Sequence, residues 1–422
     1  MATIRRIKGT QDILPGESEQ WVALETLIRE TMRVYNFKEL RTPVFEKTEL
    51  FARGIGQLTD IVSKEMYTFF DRGNKQLTLK PEMTAPIMRA YLENKLYAKS
   101  PVNKFFYIAP LFRQENPQAG RLRQFHQFGA ETLGTAYPEA DAEMIDLALN
   151  IYRRAGLENL NLRINSVGDV TCRLPYKKLL QDYIRPNLHL YCQDCQRRFD
   201  DNPLRILDCK KETCSALNQK APRLVDHLCE ECHTHYHRLK QHLDALQISY
   251  DEDPYLVRGL DYYTRTVFEI TSEALGAQNA ICGGGRYDLL AEELGGQPTP
   301  AVGFASGIER LLLIARHQNL HLAPAQRLDV FIITMGETAR QKSLSWLKTL
   351  RQAGFLSETD FLGRSVKAQM REANRQQARF VLLAGEEELE RKTFSLKIMD
   401  RSQQISVPFA NLIETLESLA NE

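Results

Sequence analysis

The sequence predicts an α+β domain with an antiparallel sheet and a mainly helical insert, followed by a small α/β domain. Three observations lead to this prediction. Residues 106–131 place a polar face opposite a mostly apolar one around a turn, residues 170–250 combine helical patterns with clustered cysteines, and strand and helix patterns alternate from Leu328 onwards. We expect the first domain to span 1–325, with its insert at about 170–250, and the second to span 326–422.

The composition is that of an ordinary globular protein. Of the 422 residues, 43% are hydrophobic and 26% are charged, and the formal net charge is +1. This near-neutral balance argues against a non-specific coat for nucleic acid but permits local basic patches. The N-terminal residues lack the apolar core of a signal peptide, and no apolar run is long enough to span a bilayer. We therefore expect a cytoplasmic protein with no membrane contact.

The first elements of the chain lead to a polar junction. Residues 17–35 have the apolar spacing of an amphipathic helix, and an extended segment with Pro43 follows. The stretch LTLKPE then predicts a strand that leads into a helix beginning near Thr84. Glu82 and Thr84 place a carboxylate and a hydroxyl at this junction, where both can meet a ligand. The alternative for Thr84 is an ordinary helix N-cap.

The stretch LFRQENPQAGRLRQFHQFGAE predicts an antiparallel hairpin with its turn at 116–120. Because successive strand side chains face opposite sides, one face is mostly apolar and packs on the core. The other face collects charged and amide side chains: Arg113, Glu115, Arg123, Gln127 and Glu131. Gly129 leaves room on this face for a ligand. The alternative is the solvated face of a surface hairpin.

Two later stretches place arginines beside glycines. In LVRGLDYYTRTVFE, Arg258 precedes a glycine, and Tyr262 and Tyr263 point to opposite faces if the strand is regular. In GFASGIERLLLI, Arg310 lies near the start of a helix, where anions are favoured, although it also fits the polar face of that helix. The sequence contains no P-loop motif, so a nucleotide site would use an antiparallel sheet and arginines instead.

Six of the eight cysteines lie between residues 192 and 232, which in a cytosolic protein favours metal over disulfides. Two CxxC pairs have the form of a structural zinc site. The predicted ligands are Cys192, Cys195, Cys229 and Cys232. Other residues compete for the same role: Cys209, Cys214, His233, His235 and His237. Reduced, buried thiols in a helical insert are the alternative.

These motifs resemble those of the histidyl-tRNA synthetases, a family of class II aminoacyl-tRNA synthetases. FRQE and GFASGIERL resemble class II motifs 2 and 3, and the first helix with the Pro43 segment resembles motif 1. LVRGLDYYTRTVFE and ICGGGRYD resemble the two histidine-specific signatures, and KGTQDILP and the C-terminal α/β unit also match. The resemblance covers essentially the whole chain. It implies a class II catalytic domain and an anticodon-binding domain in a homodimer, which activates L-histidine with ATP and Mg²⁺ and transfers it to the 3′ end of tRNA-His.

The resemblance also implies a role for each candidate residue. Arg113 and Arg258 would bind the α-phosphate of ATP, and Arg310 would bind the γ-phosphate side. Glu115 would face the adenine amino group, and Arg121 would face ATP or the acceptor end of the tRNA. The residues assigned to the amino acid are Glu82, Met83, Thr84, Gln127, Glu131, Tyr262 and Tyr263. Among these, Glu131 and Tyr263 would bind the imidazole nitrogens, and Glu82 and Thr84 the α-ammonium.

The C-terminal domain is implied to bind the anticodon. Basic residues recur there at spacings of three or four, which places them on one face if the helix is continuous. They are Arg364, Lys367, Arg371, Arg375 and Arg379. Such a stripe suits contact with tRNA phosphates, and a solvated helix face is the alternative.

Two other functions fit parts of the pattern. Synthetase-like paralogues serve as regulatory subunits of the first enzyme of histidine biosynthesis, but they lack the anticodon-binding domain and degrade the signatures. This chain keeps Arg113, Arg258, Arg310 and a whole C-terminal domain. A synthetase for threonine, proline or glycine is the other alternative, and the LDYY and GGGRYD stretches argue against it.

Overall fold

The computed structural model describes residues 3–56, 59, 61–118, 120–209, 211–275, 279–324, 327–401 and 403–421. The chain forms two compact units, Met1–Ala323 and Pro324–Glu422. Ala119 of the predicted hairpin turn, and residues 325 and 326 at the predicted domain boundary, lie outside the described residues.

The first unit contains an eight-stranded sheet and a separate three-stranded sheet. Its strands are β1 (Lys38–Glu39), β2 (Phe45–Lys47), β3 (Tyr67–Phe70), β4 (Gln76–Leu79), β5 (Asn103–Phe112), β6 (Gln124–Leu133), β7 (Leu160–Ser166), β8 (Asp251–Glu252), β9 (Thr264–Ser272), β10 (Ala280–Arg286) and β11 (Ala301–Gly307). The large sheet has the order β1-β5-β6-β11-β10-β9-β7-β8, and the small one has the order β2-β4-β3. The six central strands of the large sheet are antiparallel, as predicted, and only the two-residue edge strands pair in parallel.

Helices cover one face of the large sheet and form the insert. The helices of this unit are α1 (Ser18–Val34), α2 (Thr48–Ile55), α3 (Thr84–Glu93), α4 (Pro138–Arg154), α5 (Val170–Ile184), α6 (Gln193–Asp201), α7 (Leu204–Leu207), α8 (Glu212–Asn218), α9 (Glu230–Ala245), α10 (Leu290–Glu293) and α11 (Ile308–His317). Apolar residues of α1, α4, α9 and α11 form one core with the β5–β6 hairpin, including Trp21, Phe106 and Phe128. On the opposite face, β5 residues including Tyr107 pack against α3 and α10, and the candidate site lies beside this second core. The predicted helices at 17–35 and near Thr84, the hairpin, and the helical insert are thereby confirmed.

One predicted strand begins later than its sequence pattern indicates. β9 starts at Thr264, so Tyr262 and Tyr263 precede it and do not alternate across a strand. Their backbone is held by the insert: Arg205 donates to the carbonyl of Arg258 at 2.7 Å, and Arg173 donates to the carbonyl of Tyr263. The regular strand on which opposite orientations depended is therefore not present at these tyrosines, which leaves the alternative of an irregular backbone.

The second unit is an α/β fold built on a five-stranded sheet. Its strands are β12 (Val330–Thr334), β13 (Ser357–Thr359), β14 (Phe380–Ala384), β15 (Thr393–Ile398) and β16 (Gln403–Pro408), in the order β13-β12-β14-β15-β16. Its helices are α12 (Glu337–Gln352), α13 (Val366–Arg375), α14 (Glu386–Arg391) and α15 (Leu412–Asn421). β13, β12 and β14 are parallel, whereas β15 and β16 are antiparallel. The sheet is thus mixed, because β15 pairs antiparallel with both β14 and β16.

Candidate active site

The candidate site begins with a buried carboxylate on the hairpin. β6 places Glu131 opposite Phe105 of β5 and Gly303 of β11, at the centre of the sheet. The side chain is 1% exposed, and its two oxygens meet the hydroxyls of Thr84 (3.0 Å) and Tyr287. Burial raises the pKa of Glu131 to about 8, although both hydroxyls oppose the rise.

A second buried carboxylate lies at the start of α3. The two oxygens of Glu82 accept hydrogen bonds from the backbone N–H groups of Thr84 (2.7 Å) and Ala85 (3.0 Å). Glu82 therefore caps this helix. The hydroxyl of Thr84 does not act as the N-cap and instead donates a hydrogen bond to Glu131. Burial raises the pKa of Glu82 as well. Two buried carboxylates bridged by one threonine favour a ligand that brings ammonium or N–H donors.

Two arginines face the carboxylates across the site. Arg113 follows β5, donates through Nε to the carbonyl of Pro81 at 2.9 Å, and stacks on the ring of Phe125. Arg258 pairs with Glu269 at 2.7 Å. Its Nη2 occupies the space that a side chain at position 283 would fill, since a Cβ on Gly283 would lie 1.6 Å from that nitrogen. Each guanidinium is thus fixed in place by the fold.

A second set of arginines, Arg121 and Arg310, lies at the hairpin loop. Arg310, in the first turn of α11, donates through Nε to the carbonyl of Gly120 at 3.2 Å. The same helix is attached to β6, because Glu309 accepts hydrogen bonds from the backbone N–H of His126 at 2.9 and 3.0 Å. Arg121 pairs with Glu115 at 3.3 Å. Burial and the nearby charges of Arg121 and Arg113 lower the pKa of Arg310, so this end of the site favours a polyanion.

A cavity of about 200 Å³ lies between the buried carboxylates and the guanidinium groups of Arg113 and Arg258. Its wall contains eight of the predicted residues: Glu82, Met83, Thr84, Arg113, Gln127, Arg258, Tyr262 and Tyr263. Glu131 contacts two wall residues, Thr84 and Tyr287. The rings of Tyr262 and Tyr263 lie 4.8 Å apart, so both reach the cavity. The three remaining predicted residues, Glu115, Arg121 and Arg310, do not line the cavity and form the group at the hairpin loop.

Two tyrosines of the wall were missed by the sequence reasoning. Tyr287 belongs to the GGGRYD stretch, and Tyr107 lies on β5 facing the cavity. A Cβ at Gly129 would lie 2.3 Å from the hydroxyl of Tyr107, so the space beside this glycine is filled by the protein itself and not by a ligand. The Tyr107 hydroxyl is buried and has no hydrogen-bond partner among the described residues. The only signal for Tyr107 was its cross-strand position opposite Gly129.

The cysteines form two groups instead of one. Cys192 and Cys195 lie with Cys209 and Cys214, whereas Cys229 and Cys232 lie with Cys172 and Asp169. The predicted set of Cys192, Cys195, Cys229 and Cys232 is therefore not brought together, because each CxxC pair folds against a different part of the insert. The histidines of α9 belong to neither group. His235 lies instead 3.4 Å from the buried carboxylate of Asp141.

The basic stripe of the second unit is shorter than predicted. α13 spans only Val366–Arg375, and it ends where Gln377 takes a positive φ of 52°. Arg364 precedes the helix and binds Asp360, and Arg375 pairs with Glu372. Lys367 and Arg371 remain exposed on one face of the helix.

Comparisons with known proteins agree on one family. The sequence model described as Histidyl-tRNA synthetase matches residues 9–174 and 200–311, and the model described as Anticodon binding domain matches residues 329–419. The chain is 50% identical to the histidine–tRNA ligase of Desulforamulus reducens over 97% of each chain, and 47% identical to that of Natranaerobius thermophilus over 98% of each. The crystal structure of apo S. aureus histidyl-tRNA synthetase superposes with a TM-score of 0.84 at 39% identity, covering 98% of this chain and 100% of that one. Within the described ranges, no helix has the length and apolar character needed to cross a membrane.

Proposed function

This chain belongs to the histidyl-tRNA synthetase family, and we propose that the cavity between its carboxylates and arginines is where it activates histidine. The activity is that of a histidine–tRNA ligase, which joins histidine to tRNA-His. One observation supports this placement of the site. The same cavity is lined by Glu82, by Thr84 and Tyr287, which hydrogen-bond the buried Glu131, and by the guanidinium groups of Arg113 and Arg258. Histidine carries both an ammonium with N–H groups and a carboxylate.

The carboxylates select the amino acid. Glu131 accepts an imidazole N–H and the hydroxyl of Tyr263 bonds the other ring nitrogen, while Glu82 and Thr84 bind the α-ammonium with Met83 beside them. Gln127 meets the amino acid near its carboxylate, and Tyr262 packs against Tyr263. An amino acid without ring nitrogens leaves the buried polar groups of this pocket unpaired, which is costly.

The arginines position the reaction. The histidine carboxylate attacks the α-phosphorus of ATP in line, a new P–O bond forms, and the bond to pyrophosphate breaks. Arg113 and Arg258 hold the two anions against each other and offset the charge that develops on the α-phosphate oxygens. In the second step a hydroxyl of the terminal tRNA ribose attacks the carbonyl carbon of the adenylate, and AMP leaves.

The arginines at the hairpin loop bind the rest of ATP. Arg310 holds the γ-phosphate side, Arg121 contacts ATP or the tRNA acceptor end, and Glu115 faces the adenine amino group. Mg²⁺ bound with ATP would offset phosphate charge. Glu269, whose charge acts on Arg310, has carboxylate oxygens of the kind that would suit this ion.

Charging of tRNA tests the proposed function directly. We expect the purified chain to attach labelled histidine to a tRNA-His transcript in the presence of ATP and Mg²⁺. A tRNA with another acceptor sequence is the matched control. A folded protein that charges neither transcript would favour the regulatory-subunit alternative, in which the fold is kept without the reaction.

We also propose that the protein acts in the cytoplasm as a homodimer. β2 and β3 expose Phe45 (50%) and Phe69 (41%), whose rings lie 6.3 Å apart on one face of the small sheet. This sheet follows the Pro43 segment, which resembles the dimer-forming motif of the family. Burial of such a face against a second copy removes apolar surface from water.

Charge on this face is expected to weaken the dimer. We predict that Phe69→Asp shifts the protein from dimer to monomer in light scattering coupled to size exclusion. Phe361→Asp, on an exposed phenylalanine of the second unit (68% exposed), is the control that should remain dimeric. A dimer that persists in Phe69→Asp at low micromolar concentration would remove this sheet from the interface.

The exposed basic residues of α13 are proposed to contact tRNA phosphates. The double variant Lys367→Glu/Arg371→Glu is expected to weaken tRNA binding about tenfold or more and to flatten its salt dependence, because each lost phosphate contact removes released counterions. Binding can be measured by filter retention at several salt concentrations. Arg391→Glu, on the exposed surface of α14, is the control. Equal losses in both variants would indicate a general charge effect and not a contact by α13.

A further inference from the structure

Among its described residues, the insert contains two groups of metal-ligating side chains with related architecture. In the first, Cys192 and Cys195 lie with Cys209 and Cys214; in the second, Cys229 and Cys232 lie with Asp169 and Cys172. In each group the four ligand atoms all lie within 4.8 Å of one another, and two of the four side chains are buried. We propose that each group binds one structural zinc ion, so that the insert holds one site of four cysteines and one site of three cysteines and an aspartate.

The distances fit a metal better than disulfides. Tetrahedral zinc with Zn–S bonds of about 2.3 Å requires sulfur atoms about 3.8 Å apart. The sulfurs of Cys192 and Cys209 lie 3.9 Å apart, and that of Cys229 lies 3.8 Å from an Asp169 oxygen. A disulfide requires a sulfur separation of about 2.05 Å. It would also join sulfurs only in pairs, whereas here four ligand atoms all lie within 4.8 Å of one another.

The backbone around each group suits deprotonated sulfur. Each CxxC pair begins a helix: Cys192 precedes α6 and Cys229 precedes α9. The backbone N–H of Cys192 points to the sulfur of Cys214 at 3.3 Å, and that of Cys229 points to the sulfur of Cys172 at 3.1 Å. Such N–H donors and the positive ends of long helices favour thiolate, the form of cysteine that binds zinc.

The second group joins the two ends of the insert. Asp169 and Cys172 stand at the start of α5, and Cys229 and Cys232 at the start of α9. A metal bound there would link the N-termini of α5 and α9, the first and last helices of the insert, close to the end of β7. The first group encloses α7 and takes Cys214 from α8, and these two helices have only four and seven residues. Helices this short are not stable by themselves, so a metal would supply cohesion that they lack.

Both groups lie next to residues that shape the histidine cavity. Arg173 follows Cys172 and donates to the carbonyl of Tyr263, and Arg205 lies between the ligands Cys195 and Cys209 and donates to the carbonyl of Arg258. The proposed metals would therefore steady two backbone carbonyls at the edge of the cavity. They would take no part in the chemistry of adenylate formation.

Metal content of the full-length protein tests the proposal. The protein is purified without chelator and its zinc and iron are measured by inductively coupled plasma mass spectrometry. We expect two zinc ions per chain, one in Cys195→Ser, one in Cys232→Ser and none in the double variant. Asp169→Asn is the milder change and should lose zinc to a chelator faster than the unchanged protein. His233→Ala is the matched control, because His233 adjoins a CxxC pair but belongs to neither group, and it should keep both ions.

Other stoichiometries overturn the proposal. One zinc that is lost in both single cysteine variants would indicate a single site shared between the two CxxC pairs. Iron in place of zinc, or loss of metal in His233→Ala, would show that the ligands or the ion are wrong. Should a variant fail to fold, release of zinc from the unchanged protein by a mercurial reagent gives the count. Absence of zinc together with eight titratable thiols would leave the insert as a metal-free helical domain.

Discussion

Replacing Arg113 with methionine is expected to lower ATP–pyrophosphate exchange with histidine by about 100- to 1,000-fold, the usual effect of removing one preorganised donor from a transition state. Its guanidinium lines the cavity and is held by Pro81 and Phe125. Methionine keeps much of the aliphatic packing and removes the charge and the fork of donors. The loss should appear mainly in kcat, because the charge on the α-phosphate develops during the reaction.

Two variants separate this effect from general damage. Arg113→Lys restores the charge without the bidentate geometry, so it should recover only part of the rate. Arg153→Met changes an exposed arginine of α4, whose contact with Asp146 is long at 3.9 Å, and should behave like the unchanged protein. Exchange by Arg113→Met within a few-fold of the unchanged protein would remove Arg113 from the reaction centre.

Replacing Glu131 with glutamine is expected to impair function and to change how stability depends on pH. An amide can no longer offer two acceptor oxygens to Thr84, Tyr287 and an imidazole N–H. We expect the KM for histidine in pyrophosphate exchange to rise about 10- to 100-fold, which corresponds to about 1.4–2.7 kcal/mol for leaving one buried hydrogen-bonding group without its partner. The KM for ATP should change much less.

The pH dependence follows from the pKa of Glu131, which burial raises from 4.5 to about 8. Between these values the folded protein keeps a proton that the unfolded chain has released, so its stability falls as pH rises through this window. The fall ends above pH 8, where both states are ionised. Glu131→Gln has no such proton, and its Tm should decline less between pH 6 and pH 8 than that of the unchanged protein.

Thermal unfolding at several pH values measures this difference. Glu93→Gln is the control, since its side chain is exposed and should leave the pH profile unchanged. Parallel Tm profiles for the unchanged protein and Glu131→Gln would show that Glu131 does not hold the extra proton.

Much of the fold follows from local patterns in the sequence. The hairpin was predictable because turn residues at 116–120 separate two segments that each have a polar face opposite a mostly apolar one. The pairing of Phe106 with Ala130 confirms that these two apolar residues lie on the same face. The position of α1 was predictable from its apolar spacing. The start of β9 was not, because it depends on guanidinium groups from the insert that are distant in sequence.

The residues of the candidate site were also predictable only in part. The motifs located Glu82, Arg113, Glu131 and Arg258, since their residue types are unusual beside glycines and strand ends. They did not locate Tyr107, because a tyrosine on an alternating strand looks like any core residue. The grouping of the cysteines was also beyond the sequence, because spacing identifies CxxC pairs but not which distant residues complete each group.

Amino-acid-dependent ATP–pyrophosphate exchange tests the central claim most directly. The full-length protein would be assayed with each of the common amino acids, ATP and Mg²⁺, in the absence of tRNA. Exchange with histidine alone is the predicted result, because only histidine satisfies Glu131 and Tyr263 as well as Glu82. Exchange with a different amino acid, or none from a folded protein, would contradict the assignment of this cavity to histidine activation.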